Sequence, residues 1–82
     1  MTLKRKKYYT DDIFLKKVGL QIRKIRKGKK ITLQDLAFLC NDIDYAYLNR
    51  IELGKVNFSI SYLKLIAEKL EVPVTDLLNF DK

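Results

Sequence analysis

Between Thr32 and Gly54 the chain reads TLQDLAFLCNDIDYAYLNRIELG, a pattern that admits little besides two short helices joined by a polar bend. Thr32, with Asp35 three residues on, forms an acidic variant of the capping box. Leu33, Leu36, Ala37 and Cys40 then recur at helical spacing. Asn41-Asp42 breaks the period, since both residues initiate turns and Asn41 tolerates the left-handed conformation. Asp44 is placed to cap a second helix, with Tyr47, Leu48 and Ile51 inward and Gly54 as its stop. Helices this short do not stand alone in water, so packing must hold them. The second one turns Tyr45, Ala46, Asn49, Arg50 and Leu53 outward, a face offered to a partner.

The flanking segments supply the packing. Thr10-Asp11-Asp12 predicts the start of a long first helix, with Thr10 as the cap and two acids at the positive end of the dipole. Phe14 or Leu15, Val18, Ile22 and Ile25 recur on its inward side, and Gly28 with Lys29-Lys30 is expected to end it. After Gly54 the link Lys55-Val56-Asn57-Phe58 leads to Ser59, a cap for a fourth helix. Its expected inward positions are Ile60, Leu63, Ile66 or Ala67, and Leu70. Glu71-Val72-Pro73 is a break with Pro73 suited to a helix start, and Val74–Asn79 predicts a short fifth helix. No segment carries a strand pattern and none repeats. The expected fold is all-α with five helices: a basic arm over residues 1–9, then one domain over 10–82.

Eighty-two residues hold one small core and no deep catalytic cleft besides. The apolar share of 48% is that of a globular domain rather than a disordered tail. No stretch has the length of a membrane span, and no signal-type apolar run follows Met1. One cysteine and no histidine exclude the common zinc sites and Cys-His or Ser-His catalysis. Cys40, on an apolar helical side, reads as a packed thiol in a reducing compartment. Charge is strongly segregated: residues 1–30 carry +10 and residues 31–82 carry −3. That polarity leans towards a polyanionic partner such as nucleic acid. Lys4, Arg5, Lys6 and Lys7 repel one another, so the arm reads either as a strand laid along a duplex groove or as a solvated tail.

The ordered set IRKIR, TLQDLA, YLNRIELGK, SISYLKLIAEKLEV and DLL resembles the phage-repressor-like helix-turn-helix family, also called Cro-like or xenobiotic-response-element type, over residues 13–78. Within it, YLNRIELGKVNFSI with LKLIA and LEV is similar to the controller proteins of restriction–modification systems. The resemblance implies a five-helix DNA-binding domain that acts in the cytoplasm of a bacterium, or is phage-derived, as a homodimeric transcriptional regulator without cofactor or metal. It places Tyr45, Ala46 and Arg50 at base-reading positions, with Tyr47 and Asn49 beside them. Residues near the start of such a second helix reach base edges in the major groove. Arg50 matches O6 and N7 of a guanine; Ala46 and the Tyr45 ring match a thymine methyl. Rim packing is an equal alternative for Tyr45. The resemblance also implies a buried ion pair between Arg26 and Glu52.

Expected phosphate contacts are the Thr32 hydroxyl with the amides of Leu33 and Gln34, the group Lys55, Asn57 and Ser59, and, by charge, Arg23 with the Lys27–Lys30 cluster. Leu33 stands where many relatives carry a phosphate-touching glutamine. The bend is also one residue longer than usual, with Asn41 in place of glycine. Leu65, Val72, Val74, Leu78 and Phe80 exceed what so small a core uses and form a candidate dimer surface. Palindromic half-sites about one helical turn apart would follow. Two other readings remain: the antitoxin of a toxin–antitoxin pair, and a protein-interaction adaptor that does not touch DNA. Neither a membrane nor a small-molecule ligand is indicated.

Overall fold

The computed structural model describes residues 9–80, which form α1 (Asp12–Gly28), α2 (Leu33–Leu39), α3 (Tyr45–Glu52), α4 (Ile60–Lys69) and α5 (Val74–Leu78). Among the described residues there is no strand. The expected arm lies outside them apart from Tyr9.

Four helices begin as the side-chain caps dictate or one residue away. Asp11 caps α1 by accepting from the Phe14 amide at 3.0 Å, so Thr10 is not the cap. Both residues are competent caps, and the Phe14 amide takes the carboxylate of Asp11. The Thr32 hydroxyl accepts from Asp35 N, the Asp44 carboxylate from Tyr47 N, and the Ser59 hydroxyl from Tyr62 N. Pro73 occupies the cap position of α5, where its fixed φ suits a helix start and no side-chain bond is made. That helix ends at Leu78, with Asn79 just outside it.

Helix ends are less glycine-dependent than expected. Helix α1 runs through Gly28, and the left-handed residue that turns the chain is Lys30, at φ 60°. Glu71, also at φ 60°, does the same after α4, and Gly54, at φ 72°, after α3. Each end closes by the same backbone bond, from Ile31, Lys55 or Val72 back to the carbonyl five residues earlier. Asn41 and Asp42 are both left-handed at φ 57°, and Ile43 N reaches back to Ala37 O, which lengthens the turn between α2 and α3.

The core is Val18 and Ile22 of α1, Leu36, Ala37 and Cys40 around α2, Ile43, Leu48 and Ile51 around α3, Ile66, Ala67 and Leu70 around α4, and Leu77 of α5. Leu15 is half-buried, whereas Phe14 is 45% exposed and meets the Phe80 ring edge-on at 5.6 Å. Ile60, expected inside, is 82% exposed. As the first residue of α4 it stands on the rim of an open apolar groove whose floor is taken by Phe58 and Leu63. Leu65, Val72, Val74 and Phe80 are half-buried against the core, and Leu78 is 40% exposed.

Gly19 allows α1 to lie directly on the end of α3. A Cβ there would collide with the carbonyl oxygens of Ile51 and Glu52. A solitary glycine inside a helix is the sequence signal for such an approach. Gln21 ties α1 to α5, its side-chain amide donating to Asp76 O at 2.9 Å.

Candidate nucleic-acid interface

Helix α3 is eight residues long and is held from three sides. Its inner face buries Leu48 and Ile51 completely. Its end rests on Gly19, and its last residue is fixed by an ion pair. Arg26 Nε and Nη2 donate to Glu52 Oε2 and Oε1 at 2.7 and 3.0 Å, with side-chain exposures of 8% and 2%. Arg26 also donates from Nη1 to Ile31 O at 2.9 Å, while Ile31 N donates to Arg26 O. The guanidinium therefore links the end of α1, the approach to α2 and the end of α3. Buried charges of this kind are tolerated when every donor and acceptor is matched, and among the described residues no buried side-chain polar atom lacks a partner.

The face of α3 turned away from the core carries Tyr45 (51% exposed), Ala46 and Arg50, all in solvent. Tyr47 and Asn49 are half-buried beside them. The Arg50 guanidinium lies 5.8 Å from the centre of the Tyr47 ring, and that ring lies 6.2 Å from the ring of Tyr62 on α4. The sequence carries no local signal for Tyr62, because its pairing with Tyr47 joins two different helices.

Around α3, Thr32 and Gln34 at the start of α2 are exposed, as are Lys55, Asn57 and Ser59 in the following link. Leu33 is half-buried against the core, so the amide at the start of α2 and the uncovered part of its side chain are what it offers a ligand. The Asn57 side chain points towards the start of α1, its amide 3.5 Å from Tyr9 O. Arg23 is half-buried on α1, whereas Lys27, Lys29 and Lys30 stand in solvent. Asp44 faces its own helix start as a cap, which offsets the positive end of the dipole. Burial pushes the Cys40 thiol up from its ordinary value, with Lys69 opposing, and the side chain is fully enclosed in the core. Among the described residues, no group of His, Cys, Asp and Glu could hold a metal, and no helix is long and apolar enough to cross a membrane.

Two short helices, a hydrogen-bonded bend between them, an exposed face on the second and three helices bracing the pair define a helix-turn-helix domain. The chain belongs to the helix-turn-helix family, whose model matches residues 22–77. Among solved structures it is similar to the restriction–modification controller protein C.AhdI from Aeromonas hydrophila, at 30% identity and a TM-score of 0.74, covering 77% of this chain and 94% of that one. It is also similar to the controller protein C.Esp1396I, at 37% identity and a TM-score of 0.74, covering 83% and 90%. A tetramer of that controller protein in complex with its natural 35 base-pair operator matches at 34% identity and a TM-score of 0.70, covering 84% of this chain and all of that one. A search of curated proteins returns no match.

Proposed function

We propose that the chain is a sequence-specific DNA-binding transcriptional regulator that seats α3 in the major groove of a palindromic operator. The observation that carries this reading is the outward row Tyr45, Ala46 and Arg50 on a helix anchored by the Arg26–Glu52 pair. A bidentate guanidinium discriminates guanine from other bases by roughly 1–3 kcal/mol, and small apolar groups favour a thymine methyl. Thr32, the backbone of Leu33, Gln34, Lys55, Ser59 and Arg23 would set the register on the phosphates, with Tyr47 and Asn49 in support. Asn57 would act in that set only by leaving Tyr9. The similarity to a controller protein bound to its operator supports the same assignment.

One copy would read only a few base pairs, too little to distinguish one site in a genome. We assign the second half-site to a second copy. The apolar residues available for pairing are Leu78 and Phe80 with the exposed Ile13, Phe14 and Ile60, which share two adjoining grooves. Leu65, Val72 and Val74 contribute only the parts of their side chains that the core leaves uncovered. In this reading the protein acts in the cytoplasm, has no catalytic activity and needs no cofactor.

Selection of bound duplexes from a random library tests the proposal. A palindromic consensus with half-sites about one helical turn apart is the expected outcome. Binding without sequence preference, or without dependence on salt, would refute it, because phosphate neutralisation must release counterions.

A further inference from the structure

We propose that Tyr62, on a helix that presents no residue to the bases, is a positioning residue for Arg50 and acts through the ring of Tyr47. The inference rests on the reading of Arg50 given above. Arg50 follows Tyr47 by three positions, so the two side chains share one face of α3. The guanidinium sits 5.8 Å from the Tyr47 ring centre, within the range in which a cation is drawn to an aromatic face. Tyr47 is in turn met by Tyr62 at 6.2 Å and an interplanar angle of 59°, a tilted pair within the distance at which aromatic rings are in contact. Both tyrosines are half-buried while Arg50 is in solvent. The Tyr62 backbone is itself fixed, since its amide donates to the capping hydroxyl of Ser59 at 3.1 Å.

An exposed arginine has four side-chain torsions to restrict before its planar fork can meet a base edge in two places. A ring beneath the guanidinium limits that freedom in advance, and it does so only while its own orientation is held. Tyr62 supplies the hold from α4, which the core fixes through Ile66, Ala67 and Leu70. The geometry thus runs from a rigid helix, through two rings, to the base-reading group. Selectivity at the Arg50 base pair depends on a residue that makes no contact with it.

The test compares Tyr62→Phe and Tyr62→Leu, with Tyr62→Met as a second apolar replacement should the leucine variant fail to fold. Each is made alone and with Arg50→Ala. In the DNA-free protein, the Arg50 side-chain proton shifts should be displaced by the ring current in wild type and Tyr62→Phe. They should move towards free-arginine values in Tyr62→Leu. With the selected duplex and one altered at the Arg50 base pair, the affinity ratio should fall about tenfold in Tyr62→Leu. It should hold in Tyr62→Phe and change no further in the Arg50→Ala background. Unmoved Arg50 shifts, an equal loss on both duplexes, or the same loss without Arg50 would each overturn the proposal; an equal loss is what a phosphate contact by the Tyr62 hydroxyl would give. If Arg50→Ala itself leaves base preference intact, the DNA-reading assignment fails, while the shifts still decide whether Tyr62 orients Arg50.

Discussion

Arg26 and Glu52, twenty-six residues apart, meet in a two-point ion pair at 2.7 and 3.0 Å, and this pair fixes the end of α3 to the end of α1. With side chains 8% and 2% exposed, neither charge has water to fall back on. Removing one partner leaves the other buried and unmatched, a change that costs roughly 3–5 kcal/mol. Glu52→Ala should therefore lower stability by about that amount in urea melts. A loss below about 1 kcal/mol would place the pair among surface contacts. Replacing both residues with apolar ones of similar volume should recover most of the stability.

Two glycines of α1 should respond in opposite directions to alanine. At Gly19 a methyl group meets the Ile51 and Glu52 carbonyls, so α1 and α3 must separate, at a cost of about 1–3 kcal/mol. At Gly28 a methyl group meets nothing, and the gain from a less flexible unfolded chain is about 0.4–1 kcal/mol. Thermal melts of the two variants give the comparison directly. Similar effects at both positions would contradict the close approach of α1 to α3.

Much of the fold was legible because caps and period agree along the chain. Thr32, Asp44 and Ser59 mark three helix starts, and Val18, Ile22, Leu36, Leu48, Ile51, Ile66 and Leu70 follow the helical period into the core. Other features had no local signal. Lys30 and Glu71 occupy left-handed turns that residue type disfavours, because the backbone bonds from Ile31 and Val72 outweigh the strain. Thr10 and Asp11 are both cap residues by type, and it is the Phe14 amide bond to Asp11 that distinguishes them. Ile60 matches the helical period of α4 but lies beyond the surface that α4 covers. For the candidate site, the exposed row on α3 follows from which residues the core takes. The Arg26–Glu52 partnership came from family resemblance, and the Tyr47–Tyr62 contact depends on how α3 and α4 are packed.

The left-handed turn after α4 is open to improvement. Glu71 at φ 60° bears a steric penalty that glycine lacks, so Glu71→Gly should stabilise the domain by about 1 kcal/mol in denaturant melts. A destabilised variant would show that the Glu71 side chain contributes more than its backbone strain costs.

Cys40 has a raised proton affinity in the folded state because burial disfavours the thiolate. The folded chain therefore keeps a proton that the unfolded chain has lost once pH passes the ordinary thiol range. Stability linked to Cys40 is intact at neutral pH and declines as pH rises above about 8.5. The difference in stability between wild type and Cys40→Ala should shrink between about pH 7 and pH 9.5 in urea melts. A constant difference would mean that the thiol titrates alike in both states.

Base reading by the outer face of α3 is open to a competition-binding measurement. Wild type and Arg50→Ala are compared on the selected operator and on duplexes changed one base pair at a time. Arg50→Ala should lose roughly 1–3 kcal/mol on the operator and become indifferent to one base pair in each half-site, with other preferences kept. A uniform loss across all the duplexes, or no loss, would contradict it.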